Sequence, residues 1–245
     1  MKTVLITGAN KSIGYETARQ LLQKGYFVYL GSRDIKKGEE AANKLKAEGN
    51  SNIEAIQIDV TEKNSIEKAK NTLKDKGVPL DVLINNAGIL GGMAQAATSV
   101  TIDTVREVFE TNFFGVINVT QAFLQLMQQS QEPRIVNVTS GLGSLTLHSD
   151  PSWKYYQVKG AAYGPSKTAL NAYTVVLAYE LRDTNFKVNV VDPGYTATDF
   201  NHHSGPGTVE DAAAIVVKYA TLGSDGPTGK YFSNDIDDES QESPW

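Results

Sequence analysis

Val4-Leu5-Ile6-Thr7-Gly8-Ala9-Asn10-Lys11-Ser12-Ile13-Gly14 decides the fold. Val4 to Ile6 is an apolar run too short for a helix, while Ile13, Thr17, Leu21 and Leu22 recur at helical spacing up to Lys24 and Gly25. The order is strand, glycine turn, helix. Such a turn aims backbone N–H groups and the positive end of a helix dipole at one point, which favours a phosphate. Glycine at the bends lets a ligand approach the backbone with no Cβ in the way. A plain strand-to-helix connection can use the same residues, so the turn alone is weak evidence. The strand and helix around it favour a dinucleotide pyrophosphate site held by Gly8, Asn10, Lys11, Ser12, Ile13 and Gly14.

Outward from this turn the pattern repeats. Phe27 to Leu30 reads as a second buried strand, followed by Gly31-Ser32-Arg33, with Asp34 as N-cap of a charged helix from Ile35 to Glu48. Ile53 to Ile58 is a third strand ending at Asp59-Val60, and a polar helix from about Lys63 to Lys76 is stopped by Gly77 and Pro79. Asp81 to Ile84 is a fourth strand, closed by Asn85-Asn86-Ala87-Gly88, and Ile89 to Val100 is a loop. Thr101 caps one long helix from Ile102 to about Gln129. Arg134 to Val138 is the fifth strand, ending at Thr139-Ser140-Gly141, and about twenty irregular residues follow. Helical spacing returns from Tyr163 to about Asp183; Val188 to Val191 is the sixth strand and Asp192-Pro193-Gly194 a turn. Thr208-Val209-Glu210-Asp211 opens a last helix to about Leu222 with capping-box-like spacing, and Lys230 to Ser233 is a seventh strand. The acidic tail, Asn234 to Trp245, is expected to be loose except at Trp245.

Near-continuous apolar strands alternating with helices imply a parallel sheet covered on both faces, with right-handed crossovers. The expected fold is one α/β domain over residues 1–245, a Rossmann-type doubly wound fold of seven parallel strands. Ligands in such folds sit at the carboxyl ends of the strands, near the topological switch point. Gly8 to Gly14, Ser32-Arg33, Asp59-Val60, Asn86-Ala87-Gly88, Ser140 and Pro193-Gly194 should therefore border one cleft.

Bulk properties narrow the function. The net charge of −5 argues against nucleic acid as main partner, which needs clustered Lys and Arg. With no cysteine there is no disulfide or thiolate chemistry, and His148, His202 and His203 are few ligands for zinc, so no metal is expected. No apolar run approaches a membrane span, and Met1-Lys2-Thr3 leads straight into a core strand without room for a signal peptide. The expected location is the cytoplasm.

At this point the sequence resembles the classical short-chain dehydrogenase/reductase family over nearly its whole length. The matching motifs are Thr7-Gly8 through Gly14, Asp59-Val60, Asn85-Asn86-Ala87-Gly88, Asn112 in Thr111-Asn112-Phe113-Phe114-Gly115, Ser140, Tyr163-Gly164-Pro165-Ser166-Lys167, and Pro193-Gly194 with Thr196 and Thr198. Each is weak alone; their order and placement at strand ends are specific. Tyr155 and Lys159 form a second Tyr-x-x-x-Lys pair, and chance alone supplies roughly one in a chain this rich in both residues. Tyr163 is preferred, because Gly160 after Lys159 is poor inside a helix and Ser166-Lys167-Thr168-Ala169-Leu170 matches the family's continuation. This choice implies an insertion of about ten residues before the tyrosine, relative to the usual family pattern. Ser12, where the family usually has its middle glycine, is a second departure, expected to be accommodated.

The resemblance implies hydride transfer between a nicotinamide cofactor and an alcohol or carbonyl, with Asn112, Ser140, Tyr163 and Lys167 as catalytic residues. One helical turn separates Tyr163 from Lys167, so the ammonium can sit by the phenol. A cation within about 4 Å would lower the phenol pKa by roughly three units, toward neutrality. Ser140 would stabilise the charge developing on the substrate oxygen. By resemblance, Lys167 also holds the nicotinamide ribose and Asn112 supports a water relay, although an Asn in a helix can equally satisfy local backbone groups.

An acidic residue at the end of the second strand would favour NAD, but Ser32 stands there, with Arg33 beside it and Lys11 in the glycine turn. Two cations can converge on a phosphate dianion, so NADP(H) is expected in preference to NAD(H). The competing reading makes Lys11 and Arg33 solvated surface charges. The substrate pocket is expected among Gly91 to Gln95, Leu142 to Tyr156 and Tyr195 to His203, with Leu145, Leu147, Trp153, Tyr156, Tyr195 and Phe200 suiting a hydrophobic ketone or aldehyde. The overall pattern is similar to the carbonyl-reductase-like branch, which makes an NADPH-dependent carbonyl reductase the expected function. A non-catalytic dinucleotide-binding sensor is the alternative. A homo-oligomer, dimer or tetramer, is expected through the two long helices by comparison with relatives, a monomer being the other state.

Overall fold

A computed structural model describes residues 1–77, 79–236 and 239–245. Seven strands, β1 (Thr3–Ile6), β2 (Phe27–Ser32), β3 (Ile53–Gln57), β4 (Val82–Asn85), β5 (Arg134–Val138), β6 (Lys187–Asp192) and β7 (Tyr231–Ser233), form one parallel sheet in the order β3-β2-β1-β4-β5-β6-β7. The helices are α1 (Ser12–Gln23), α2 (Ile35–Ala47), α3 (Lys63–Asp75), α4 (Ile102–Phe109), α5 (Gly115–Met127), α6 (Leu145–Ser149), α7 (Tyr163–Glu180) and α8 (Val209–Ala220). The expected doubly wound α/β fold is therefore the observed one.

Why the strands read as unbroken apolar runs is visible in β1. Val4 and Ile6 face a core shared with α1, α2 and α8, whereas Leu5 faces a second core shared with α3, α5 and α7. Side chains alternate across a strand, so a strand covered on both faces must be apolar at every position. Each buried leucine or isoleucine adds about 1.5–3 kcal/mol of favourable burial.

Register levels the strand ends. Ile6 lies opposite both Leu30 and Ile84, Val138 opposite Val191, and Asp192 opposite Ser233. The segments that follow the strands therefore emerge on one side. The winding reverses between β1 and β4, and the cleft opens there.

Three sequence expectations need correction. The long helix from Ile102 is not continuous: a π-helical turn, Glu110–Phe114, separates α4 from α5. The segment after Ser140 is not wholly irregular, since Gly141–Gly143 is a 3-10 turn and α6 follows it. The end of the tail is tied down: Ser243 N–H donates to the Tyr231 carbonyl, the Ser144 hydroxyl donates to the Pro244 carbonyl, and the Trp245 ring packs on Tyr231. Asp237 and Asp238 of that tail lie outside the described residues.

Candidate active site

Two glycines shape the mouth of the cleft. Gly8 turns at φ +63°, and a Cβ on it would lie 2.9 Å from the Ala87 Cα; one on Gly14 would lie 2.5 Å from Asn86 Nδ2. The turn after β1 is thus pressed onto the segment after β4. Asn86 Nδ2 donates to the carbonyls of Thr7 and Gly8, and the Thr7 hydroxyl accepts from the N–H groups of Asn86 and Ala87. Asn86 and Ala87 hold the glycine turn in shape.

The N-terminus of α1 fits a phosphate. Asp34, Thr101 and Thr208 cap α2, α4 and α8 through their side chains, but α1 has no side-chain cap, which leaves its first N–H groups for an anion. Asn10, Ser12 and Ile13 border this end. Ser12 has φ +52°, the left-handed region that glycine adopts more easily, so the family's missing glycine is replaced at a strained position.

The second-strand corner differs in detail from expectation. The Ser32 hydroxyl is buried and its proton is already engaged, donated to the Asp34 carbonyl at 2.7 Å. Arg33 is exposed and joins no ion pair among the described residues. Lys11 meets Asp199 at 3.1 Å across the cleft, in a bridge whose side chains are largely exposed. Exposed bridges are worth about 0–1 kcal/mol, so a phosphate dianion can displace this one. Asp59 accepts from the N–H and hydroxyl of Thr61, and Val60 abuts Gly115. On the far side Gly194 turns at φ +80°, the Thr196 hydroxyl donates to its carbonyl at 3.2 Å, and the Thr198 N–H donates to Asn201 Oδ1.

Tyr163 opens α7, and Lys167 sits one turn later on the same side, its Nζ 5.7 Å from the Tyr163 ring centre. The same Nζ donates to the Val138 carbonyl at 2.8 Å, which anchors it beneath the end of β5. A Cβ on Gly88 would lie 3.3 Å from Asn112 Oδ1 and 3.6 Å from Lys167 Nζ, so this glycine keeps access to the amine open. Ser140, which follows β5, has its hydroxyl near enough to Tyr163 to stabilise the phenolate by hydrogen bonding. Ser140, Tyr163 and Lys167 thus converge on one corner, whereas Lys159 turns away to the His148 carbonyl and the face of Tyr156. Tyr155 packs instead between Trp153 and Tyr195.

Electrostatics correct the expected phenol. Burial is the largest influence on Tyr163 and raises its pKa, Asp192 raises it further, and Ser140 pulls it down. The Lys167 ammonium, anchored on the Val138 carbonyl with its Nζ 5.7 Å from the ring centre, does not bring it to neutrality here against that burial. Burial lowers Lys167 itself to about 8, with Asp192 opposing.

Asn112 lies in the π turn and is fully buried. Its side chain bonds both backbone groups of Ile89 and donates to the Ser166 hydroxyl, so it pins the segment after Gly88 to α7. Gln95 was not among the expected catalytic or cofactor residues. Its Oε1 accepts from the N–H groups of Ala162 and Tyr163 at 3.2 and 2.9 Å, and its Nε2 donates to the carbonyls of Leu90 and Gly92. It caps α7 from a loop far away in sequence, a link that no local capping signal can reveal.

Above Tyr163, the ring of Phe200 lies 5.4 Å away, and Trp153, Tyr155 and Tyr195 pack edge to face in series. Leu145 points largely to solvent and Tyr156 turns toward Lys159, so these two contribute less to the expected apolar pocket. His203 Nε2 meets Asp199 Oδ1 at 2.9 Å.

A model of the short-chain dehydrogenase family matches residues 2–208. The chain belongs to this family. It is 36% identical to (+)-neomenthol dehydrogenase of Capsicum annuum over 297 aligned positions, covering 93% of this chain and 94% of the relative. That alignment is longer than this chain of 245 residues, so the relative carries insertions absent here. The structure of salutaridine reductase from Papaver somniferum superposes with a TM-score of 0.83 at 31% identity, covering 96% of this chain and all of that one. NADPH-bound carbonyl reductase from chicken fatty liver, at 24% identity and TM-score 0.83 over 100% of this chain and 99% of its own, shares the fold. This short-chain dehydrogenase is accordingly a nicotinamide-dependent oxidoreductase acting on alcohol and carbonyl groups. No described helix is long and apolar enough to cross a membrane.

Proposed function

We propose that the protein reduces a hydrophobic ketone with NADPH, using Tyr163 as proton donor. The convergence of the Ser140 hydroxyl, Tyr163 and the buried Lys167 amine at the end of β5 carries this reading. When bound, the nicotinamide cofactor supplies the hydride. Tyr163 gives its proton to the carbonyl oxygen, and Ser140 hydrogen-bonds the charge that develops there. Lys167 holds the nicotinamide ribose and, as a cation, steadies the tyrosinate left behind. Asn112 fixes the wall beside Lys167. Gly8 to Gly14 take the pyrophosphate, and Asp59-Val60, Asn86 to Gly88 and Pro193 to Thr198 flank the rest of the cofactor.

Preference for NADPH rests on Arg33, which has no acidic partner among the described residues, and on Lys11 behind its weak bridge to Asp199. The aromatic series Trp153, Tyr155 and Tyr195, with Phe200, suits an apolar ring in the substrate. Relatives are named for (+)-neomenthol and (−)-isopiperitenone, which makes menthone a reasonable first probe. The test is NADPH and NADH consumption with menthone and a panel of aromatic and aliphatic ketones. The expected result is turnover with at least one ketone, faster with NADPH. NADPH binding without any turnover would instead mark a sensor, and faster turnover with NADH would overturn the cofactor assignment.

A further inference from the structure

Asp192 has no part in the scheme above, yet it stands directly behind it. It ends β6, is 3% exposed, and enters no ion pair among the described residues. Its Oδ1 accepts from the Gly194 N–H at 3.0 Å and its Oδ2 from the Ser233 hydroxyl at 2.7 Å. A Cβ on Gly141 would lie 3.3 Å from Oδ2, so the carboxylate comes this close to the backbone because that residue is glycine. The Gly141 N–H hydrogen-bonds toward the same carboxylate. Across that peptide bond, the Ser140 carbonyl accepts from the Tyr231 hydroxyl of β7 at 2.9 Å. The peptide linking Ser140 to Gly141 is gripped on both edges, by β6 and by β7.

A buried carboxylate without a cation is unfavourable, and folds seldom keep one with no use. The groups facing Asp192 are Tyr163 and Lys167 from α7, Tyr231 from β7, Asp235 just after β7, and Tyr155 from the loop before α7. Asp235 is paired with Lys154 at 2.8 Å. Tyr163 in turn faces Ser140, Lys167 and the Phe200 ring. Lys167 and Asp192 are thus opposite charges in one buried corner, beside the Tyr163 phenol.

We propose that Asp192 is a positioning residue: it fixes the turn that presents Ser140, and its negative charge stands behind the Lys167 ammonium and the Tyr163 phenol. This rests on the reading of Tyr163 as proton donor. Ketone reduction in this scheme needs both a protonated phenol and a charged Lys167, so kcat/KM falls as pH rises through the lower of the two pKa values, that of Lys167 at about 8, which Asp192 holds up. Removal of a nearby negative charge lowers that pKa.

The experiment is kcat/KM for ketone reduction against pH in wild type, Asp192→Asn and Tyr231→Phe, with a melting temperature for each. In Asp192→Asn the alkaline limb should move down by about one pH unit, with no loss of thermal stability. Tyr231→Phe removes a grip but no charge; kcat should fall severalfold while the limb stays in place. An unmoved limb in Asp192→Asn, or a rate loss that follows a loss of stability, overturns the proposal. Should the Asn variant not fold, Asp192→Glu keeps the charge and should keep the wild-type limb at lower kcat; a shifted limb there overturns it equally. A wild type that reduces no ketone fails the site reading itself, whereas an active wild type beside an unshifted Asp192→Asn fails this inference alone.

Discussion

Ser12 shows what one side chain can cost a turn. At φ +52° it occupies a conformation that penalises a Cβ by about 1 kcal/mol, so Ser12→Gly should raise stability by about that amount in chemical denaturation. Gln95 acts the other way. Gln95→Ala leaves the first N–H groups of α7 without their acceptor and should lower stability by about 1–2 kcal/mol, with a larger loss in kcat than in cofactor binding. Asp192 adds a pH signature to the folded state. Burial raises it to about 6 from an ordinary value of 3.8, so the folded protein binds its proton more tightly than the unfolded chain does. Stability is therefore lost as pH rises from about 4 to about 6, and the deficit persists above, amounting to about 3 kcal/mol at most. Asp192→Asn should melt higher than wild type at pH 7, with the difference closing as pH falls toward 4. The residue types of the site were legible in the sequence, because Ser140, Tyr163 and Lys167 follow a recognisable order. The direction of the Tyr163 shift was not, because it depends on burial first and then on Asp192, and only the folded chain supplies either.

At the scale of elements, local chemistry announced most boundaries. Asp34, Thr101 and Thr208 each accept the backbone N–H groups that their sequence positions promised. The π turn was hidden for a physical reason: the apolar side runs through Val108, Val116 and Val119, and one wide turn between them leaves little trace in a 3.6-residue period. Its consequence is functional, since Asn112 sits in that turn and points inward. Arg134 was read merely as the start of β5. Its buried guanidinium donates to the carbonyls of Leu222, Gly223, Pro133 and Asn185, tying the end of α8 to the strand. Arg134→Met strands these acceptors, and urea unfolding should show a loss of about 3 kcal/mol.

Taken whole, the molecule places two apolar cores back to back and spends its polar residues at one end of the sheet. That end was readable in the sequence, because small and polar residues follow every apolar run. The closing contacts were not, because Gln95, Tyr231 and the tail residues up to Trp245 reach the site from distant parts of the chain. The outer surface of α7, with the π turn before α5, leaves Val175, Val176, Tyr179 and Phe114 exposed. A homo-oligomer through these helices would cover them, and light scattering should return the mass of two or four chains. The central claim concerns which tyrosine gives the proton, and Tyr163→Phe beside Tyr155→Phe, assayed for NADPH-dependent ketone reduction, tests it most directly. Tyr163→Phe should lose roughly 100- to 10,000-fold in kcat while Tyr155→Phe stays within about tenfold of wild type. The reverse ranking would contradict the account.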